Sequence, residues 1–229
     1  MRVLSIFLLC GCIFADPYFP DDNWETKNHD EAGLDESKID NLFELTFSDD
    51  ATMSAVLIKD GYIIREQYAE GFNKDSFGTS WSTAKSFYAA LVGISLDKGE
   101  IDSLDDPVAK YVPQFDEGKK KNITIRQILN MTSGLEFPSH EHEMMFFEAD
   151  HLAYAYKVDV ENKPGEVFQY NNVNSMLMGE ILKGATGKTA KQLIEERLFS
   201  KIGLKNYTAW EDEAGNTLTY CCLDMSARD

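Results

Sequence analysis

Two apolar runs joined by an Asp-Gly dipeptide are the feature that most constrains the fold of this chain. Residues 53–59 and 62–68 are rich in β-branched and aromatic side chains, and only Asp60 and Gly61 separate them. A two-residue Asp-Gly connection is typical of a tight antiparallel hairpin. Farther along the chain, from the charge-poor run 82–98 onward, the hydrophobic spacing becomes helical. A hairpin followed by a block of helices predicts an α+β fold.

The helical block divides into several predicted helices. Because the run 82–98 carries few charges, we expect its helix to be buried on most sides. Ala89 and Gly93 are expected to let neighbouring elements approach it closely. Asp35 and Thr124 are residue types that cap helix N-termini. The predicted helices lie at residues 34–47, 82–98, 107–111, 125–130, 174–183 and 190–199, and residues 225–229 are predicted to begin another.

The first 15 residues predict the compartment. Arg2, the apolar run 3–9 and the small Ala15 are typical of a secretory signal peptide that is cleaved after about residue 15. The run is shorter than the roughly 20 apolar residues that a membrane span needs. The sequence Leu-Cys-Gly-Cys ending at Cys12 also resembles a bacterial lipoprotein box, in which Cys12 would carry a lipid anchor. Both interpretations predict an exported protein, periplasmic or extracellular.

Length and charge limit the domain count and the partners. The 229 residues, 43% of them hydrophobic, predict a globular chain. We expect a signal peptide at 1–15, a lead-in and N-terminal helix at 16–50, and one domain at 51–229. The 22 basic and 39 acidic residues give a net charge of −17. A chain of this charge repels phosphate backbones, so nucleic acid is excluded as a partner.

The four cysteines do not suggest a disulfide framework. Cys10 and Cys12 lie in the predicted signal peptide, and Cys221 and Cys222 are adjacent. Ordinary disulfides join residues whose Cα atoms are about 4.4–6.8 Å apart. We therefore predict no bond between Cys221 and Cys222. No Cys-x-x-Cys pair of the zinc-binding kind is present.

The pair Ser82 and Lys85 is the first candidate for catalysis. A spacing of three places both side chains on one face of a helix, about 5–6 Å apart at Cβ. The helix N-terminus favours a developing alkoxide on Ser82. Burial of Lys85 would lower the pKa of its amine and make it a base for the serine. On this motif alone, a capping serine with a surface lysine is the favoured interpretation, because chance often supplies a Ser-x-x-Lys spacing.

The second candidate is Tyr170 with Asn172, which follow a turn at 163–165. Tyr170 could relay a proton, and Asn172 could orient Lys85 and bind a substrate carbonyl. A buried tyrosine with a satisfied hydroxyl is the structural alternative for this motif.

These motifs belong to an ordered series of sequence blocks. The blocks are residues 81–87 (WSTAKSF), 99–108 (GEIDSLDDPV), 123–135 (ITIRQILNMTSGL), 164–166 (PGE) and 170–172 (YNN). In this order they resemble the serine β-lactamase-like proteins, which include class C β-lactamases, DD-peptidases and related esterases. Segments 78–81, 196–199 and 226–229 look most similar to the nylon-oligomer (6-aminohexanoate-dimer) hydrolase and esterase branch. The resemblance covers residues 51–229.

The resemblance implies a fold and a chemistry. The fold is that of serine β-lactamases and DD-peptidases, a helical block packed on an antiparallel sheet. The implied roles are a nucleophilic Ser82, a base Lys85, a Tyr170 that assists proton transfer and a supporting Asn172. The reaction would be acyl transfer to water through an acyl-enzyme, on a small ester or amide, without a cofactor. The backbone N–H of Ser82 would be one oxyanion donor.

The family pattern continues into a third motif, a basic-x-Gly strand beside the site, which this sequence lacks. Nothing after Asn172 fits it, and Lys188-Thr189-Ala190 lies between predicted helices. We therefore expect the C-terminal sheet strands to be missing and the 229-residue chain by itself to be a poor, marginally stable enzyme. The first alternative is a catalytically inactive binding or regulatory fragment that retains the cleft. The second is a metal-dependent hydrolase using His140, His142 and His151, although a solvated loop explains these residues better.

Overall fold

A computed structural model describes residues 18–20, 23–136, 144–204 and 206–229. The predicted signal peptide, Cys12, His140 and His142 therefore lie outside the described residues. The chain divides into two compact units, the first ending at Asn73 and the second comprising Lys74–Asp229. Among the described residues, none of the helices is long and apolar enough to cross a membrane.

The first unit contains the predicted hairpin. Strand β1 (Ser54–Lys59) pairs with strand β2 (Tyr62–Tyr68) in antiparallel register, with an irregularity between Leu57 and Ile58. Asp60 and Gly61 have φ values of +52° and +84°. A tight hairpin turn requires two residues in this left-handed region, which Asp and Gly tolerate best. The hairpin prediction is confirmed.

A capped helix precedes the hairpin. Helix α1 (Glu36–Thr46) begins where the Asp35 side chain accepts a hydrogen bond from the amide of Lys38. Its Phe43 is buried, as the helical spacing predicts, whereas Leu42, assigned to the same face, is 46% exposed. The position of the helix was correctly predicted, and its apolar face was assigned too broadly.

The second unit contains a small sheet that sequence analysis missed. Strands β3 (Phe77–Thr79), β4 (Tyr207–Ala209) and β5 (Leu223–Ser226) form an antiparallel sheet in the order β3-β5-β4. Residues 225–229 were predicted to begin a helix. That prediction is wrong for Met225 and Ser226, which belong to β5. Strands of three or four residues are too short to show alternation, and pairing with distant segments stabilises them.

The α-helices described in the second unit are α2 (Ala84–Asp97), α3 (Ile125–Leu129), α4 (His151–Lys157), α5 (Asn172–Thr186), α6 (Ala190–Ile194) and α7 (Ser200–Ile202). Helix α5 packs against α2, α3, α4 and α6. Sequence analysis missed α4, which the Asp150 side chain caps. Thr124 caps α3 through a capping box with Gln127, which confirms that predicted helix.

Helix α2 is buried or half-buried on most of its sides, which confirms that prediction, and its exposed residues form a single stripe. Tyr88 and Leu91 are fully buried, whereas Ala90 and Gly93 are exposed. A Cβ added at Gly93 would meet no described atom within 4 Å. The close approach occurs instead at Gly184 of α5, where an added Cβ would lie 2.0 Å from the carbonyl oxygen of Tyr111.

The adjacent cysteines are bonded to each other, contrary to the sequence-based prediction. A disulfide joins Cys221 to Cys222, whose Cα atoms are 3.7 Å apart. The prediction relied on the Cα spacing of disulfides between separate segments, which does not apply to neighbours. The turn at Cys222, with φ +71°, brings the two sulfur atoms together.

Candidate active site

Ser82 lies in a tight turn rather than inside a regular helix. The turn Trp81–Thr83 adopts 3₁₀ geometry and leads directly into α2. Trp81 has φ +44°, a left-handed conformation that bulky residues rarely adopt. Backbone strain of this kind is concentrated at functional sites. It turns the chain so that Ser82 lies at the surface of a cavity.

The structure brings Ser82, Lys85 and Tyr170 into direct contact. Lys85 Nζ lies 3.0 Å from Ser82 Oγ. The hydroxyl of Tyr170 donates a hydrogen bond of 2.7 Å to the same Ser82 oxygen. Ser82 Oγ is thus within hydrogen-bond distance of two groups that can accept or relay its proton.

The carbonyl oxygen of Tyr220 is a further partner of Lys85. Lys85 Nζ donates to it at 2.5 Å. The ring of Tyr220 is buried, and its hydroxyl lies 3.1 Å from Nδ1 of His151. Sequence analysis missed Tyr220 because a backbone carbonyl is present in every residue, so no side-chain pattern identifies it.

The environment shifts the pKa of both Lys85 and Tyr170. Burial, which disfavours the charged ammonium, holds the pKa of Lys85 below its usual range, although Tyr170 partly opposes this shift. Burial by itself would raise the pKa of Tyr170. Hydrogen bonds with Lys85 and Ser82 outweigh that effect, so the pKa of Tyr170 is lowered. Two groups beside Ser82 are therefore easier to deprotonate than in water.

Asn172 lies at the first position of α5 and lines the same cavity as Ser82. Its Oδ1 is buried and has no hydrogen-bond partner among the described residues. No hydrogen bond joins it to Lys85 in the described part of the chain, so Lys85 is oriented by Tyr220 instead. The preceding Asn171 has a structural role, because its side chain caps α5 and donates to the carbonyls of Leu135 and Glu136.

The cavity beside Ser82 has a volume of about 340 Å³ and a largely apolar wall. Phe147 on its rim is 74% exposed and Trp81 is 58% exposed. Large apolar side chains that remain exposed around a catalytic-type serine are typical of a ligand site. The lining residues are Trp81, Ser82, Met145, Phe146, Phe147, Asn172, Tyr220 and Cys221.

Of the three histidines of the predicted metal alternative, the structure describes His151. His151 is buried in α4 and contacts Tyr220. Burial holds the pKa of His151 below its usual range, although the nearby Asp212 opposes this. Among the described residues, no group of three or more His, Cys, Asp and Glu side chains could hold a metal ion.

Comparison with known proteins places this geometry in a family. Residues 46–220 match the Beta-lactamase family, and this range includes Ser82, Lys85 and Tyr170. The chain belongs to the beta-lactamase family. It is 28% identical over 134 residues to Protein flp of Staphylococcus aureus (strain MW2), and 28% identical over 152 residues to Beta-lactamase-like protein 2 of Dictyostelium discoideum. These matches cover 56% and 60% of this chain but only 27% of each relative.

Solved structures confirm the predicted fold. A Bacillus anthracis protein described as a 6-aminohexanoate-dimer hydrolase superposes with a TM-score of 0.73 at 24% identity, over 82% of this chain and 54% of its own. The D-alanine carboxypeptidase AmpC from Burkholderia cenocepacia superposes with a TM-score of 0.66 at 18% identity, over 87% of this chain and 62% of its own. This family member therefore has the α+β fold of serine β-lactamases and DD-peptidases.

Proposed function

We propose that this family member is a serine hydrolase that transfers an acyl group from an ester or amide to water through an acyl-enzyme on Ser82. The observation that carries the proposal is the contact of Ser82 Oγ with both Lys85 Nζ and Tyr170 OH, at 3.0 and 2.7 Å. A nucleophile beside a base that is itself oriented by a third group is the arrangement that covalent catalysis needs. Here Tyr220, through its carbonyl, is that third group.

The reaction proceeds in two proton-balanced steps. In the first, neutral Lys85 accepts the Ser82 proton while Oγ attacks the carbonyl carbon, and the proton passes through Tyr170 to the leaving alkoxide or amine. In the second, water attacks the acyl-serine, its proton goes to the same base, and Ser82 recovers its hydrogen. The backbone N–H of Ser82 stabilises the oxyanion, and Asn172, which lines the same cavity, binds the substrate carbonyl through its amide N–H. The predicted export from residues 1–15 is part of this proposal.

Phosphonylation of Ser82 tests the proposal. We expect a fluorophosphonate probe to label the purified protein on Ser82, and Ser82→Ala to remove the label completely because no other described serine contacts a lysine-tyrosine pair. Ser86→Ala is the matched control, since Ser86 lies one position beyond Lys85 on an exposed part of α2. Labelling that survives Ser82→Ala would refute the nucleophile. A protein that binds ester analogues without labelling would be the inactive binding fragment.

Labelling is also expected to depend on pH in a defined direction. Lys85 can accept a proton only when it is neutral, so the labelling rate should fall as pH drops through its pKa. Because burial lowers that pKa, the midpoint should lie below the usual value of lysine, about 10.4. Rate constants measured from about pH 6 to pH 12, a range that extends beyond the ordinary lysine value, give the midpoint. A midpoint at or above the ordinary lysine value would contradict a buried base.

Small neutral esters are the expected substrates rather than β-lactams. The described residues that line the cavity are mostly apolar. The aromatic rings of Trp81, Phe146 and Phe147 favour an apolar acyl group by burying its surface. Steady-state rates should therefore be higher on a p-nitrophenyl ester than on nitrocefin. Faster turnover of nitrocefin would show that this assignment is wrong.

A further inference from the structure

The segment 220–223 contacts the candidate site on two sides. At one end, the carbonyl of Tyr220 accepts a hydrogen bond from Lys85. At the other, Leu223 pairs with Ser80, with its carbonyl accepting from the Ser80 amide at 2.8 Å and its amide donating to Ser80 Oγ at 3.2 Å. Ser80 lies two residues before Ser82. The path of this segment therefore affects both the base and the nucleophile.

The Cys221–Cys222 disulfide lies at the centre of this segment. Both cysteines are buried, at 3% and 0% exposure, and Cys221 lines the cavity that contains Ser82. Cys222 has φ +71°. This left-handed conformation is unfavourable for a residue with a Cβ atom, and it persists only where the surrounding structure restrains the backbone. A covalent bond to the adjacent residue is such a restraint. The carbonyl of Cys222 also accepts a hydrogen bond from the amide of Trp210 at 3.1 Å.

The direction of the Tyr220 carbonyl matters for the base. A neutral lysine amine has two N–H donors and one lone pair. When the Tyr220 carbonyl accepts one N–H, it restricts the rotation of the amine and favours orientations in which the lone pair faces Ser82 Oγ, 3.0 Å away. If the carbonyl turns away, the amine rotates and the lone pair points at Ser82 for only part of the time.

We propose that the Cys221–Cys222 disulfide is a redox-sensitive positioning element that holds the Tyr220 carbonyl against Lys85. Reduction by a dithiol transfers two electrons and two protons, so that each cysteine becomes a thiol and the dithiol becomes a disulfide. The segment then relaxes at Cys222, and Lys85 loses its oriented acceptor. The effect on catalysis rests on the proposed function. The accessible route for the reductant is the cavity beside Cys221.

Reduction and reoxidation of the purified protein test this. The protein is treated with dithiothreitol, desalted without air, and labelled on Ser82 with a fluorophosphonate over a range of pH; alkylation of Cys221 and Cys222 confirms reduction. We expect the limiting labelling rate to fall about tenfold or more, which is less than the roughly 10²-fold expected for complete loss of a general base because Lys85 itself remains, and to recover on reoxidation with diamide. Equal labelling rates in the reduced and oxidised protein would overturn the proposal.

The pH profile of labelling distinguishes a loss of Lys85 positioning from a general destabilisation of the domain. The Tyr220 carbonyl accepts more strongly from an ammonium than from an amine, so losing it disfavours the charged form of Lys85. The midpoint of labelling should therefore move to lower pH while the limiting rate falls. A fall in rate with no movement of the midpoint would show that reduction only destabilises the domain, and would count against the proposal.

Two single variants identify what the bond does. Cys222→Ala removes the bond, keeps Cys221 in the cavity wall and leaves a side chain at the left-handed position, so it should label like the reduced protein. Cys222→Gly also removes the bond but lets the backbone keep φ +71° at little cost, so it should label nearly as fast as the oxidised protein. Neither variant should respond to dithiothreitol. Equal, fast labelling of both variants would show that the bond positions nothing.

Hydrogen exchange makes the two proposals separable. The amides of Ser80 and Trp210, which donate to segment 220–223, should exchange faster after reduction. If Ser82 is never labelled but these amides respond, the hydrolase proposal fails and the positioning role of the disulfide stands. If Ser82 is labelled and neither its rate nor these amides respond to reduction, the hydrolase proposal stands and the disulfide proposal fails.

Discussion

Replacing Lys85 by methionine is expected to lower the rate of Ser82 phosphonylation by at least about 10²-fold, the low end for loss of a general base. Methionine keeps the length and the apolar stem of the side chain but has no group that accepts the Ser82 proton. Tyr170, which also contacts Ser82 Oγ at 2.7 Å, can sustain only part of the reaction because Lys85 no longer helps to lower its pKa. The measurement is the second-order rate constant for labelling by a fluorophosphonate.

A lysine elsewhere on the same helix provides the control. Lys98 is the C-cap residue of α2 and is exposed, so Lys98→Met removes the same charge without touching the site and should label at the wild-type rate. Thermal unfolding of both variants shows whether the domain remains folded. Labelling of a folded Lys85→Met protein within about threefold of wild type would mean that another group is the base.

Replacing Gly184 by alanine is expected to destabilise the second unit strongly. The new Cβ would lie 2.0 Å from the carbonyl oxygen of Tyr111 and 2.8 Å from its carbonyl carbon. Both atoms belong to the backbone, so the 3₁₀ turn Val108–Lys110 and α5 must move apart. Overpacking of this kind typically costs about 1–3 kcal/mol, and we expect the upper end. For a domain of this size, the melting temperature should fall by about 5–10 °C.

Gly93→Ala is the matched control, because it makes the same substitution inside a helix where a Cβ meets no described atom. Alanine has a higher helix propensity than glycine, by about 0.8–1.0 kcal/mol. The Gly93→Ala protein should therefore melt at or slightly above the wild-type temperature. If both variants melt at the same temperature, the close approach of Gly184 to the Tyr111 carbonyl does not limit the residue size at position 184, and the prediction is wrong.

Several local features were predictable from sequence because neighbouring residues decide them. The turn at Asp60 and Gly61 needs only two residues that tolerate a left-handed backbone. The caps at Asp35 and Thr124 need only a side-chain oxygen near free amides, and α1 and α3 begin where expected. The three-residue spacing of Ser82 and Lys85 likewise predicted that their side chains lie on the same face of a helical segment. Their contact at 3.0 Å follows from three residues of local geometry.

Other features depend on residues far apart in the chain, and sequence analysis missed them. Strands β3, β4 and β5 are too short to carry a pattern of their own. Gly93 was expected to be at a close contact, whereas an added Cβ would meet no described atom there and would meet backbone at Gly184.

By itself, the sequence determined the α+β class, the hairpin and the helix caps, because these depend on the backbone preferences of neighbouring residues. It also determined the candidate residues Ser82, Lys85, Tyr170 and Asn172, because they belong to an ordered set of motifs. Only the tertiary structure decided which groups complete the site. The approach of Tyr170 to Ser82 joins positions 88 residues apart, and the Tyr220 carbonyl reaches Lys85 across 135. Neither contact follows from local preference, because the packing of α5 and segment 220–223 against α2 creates both.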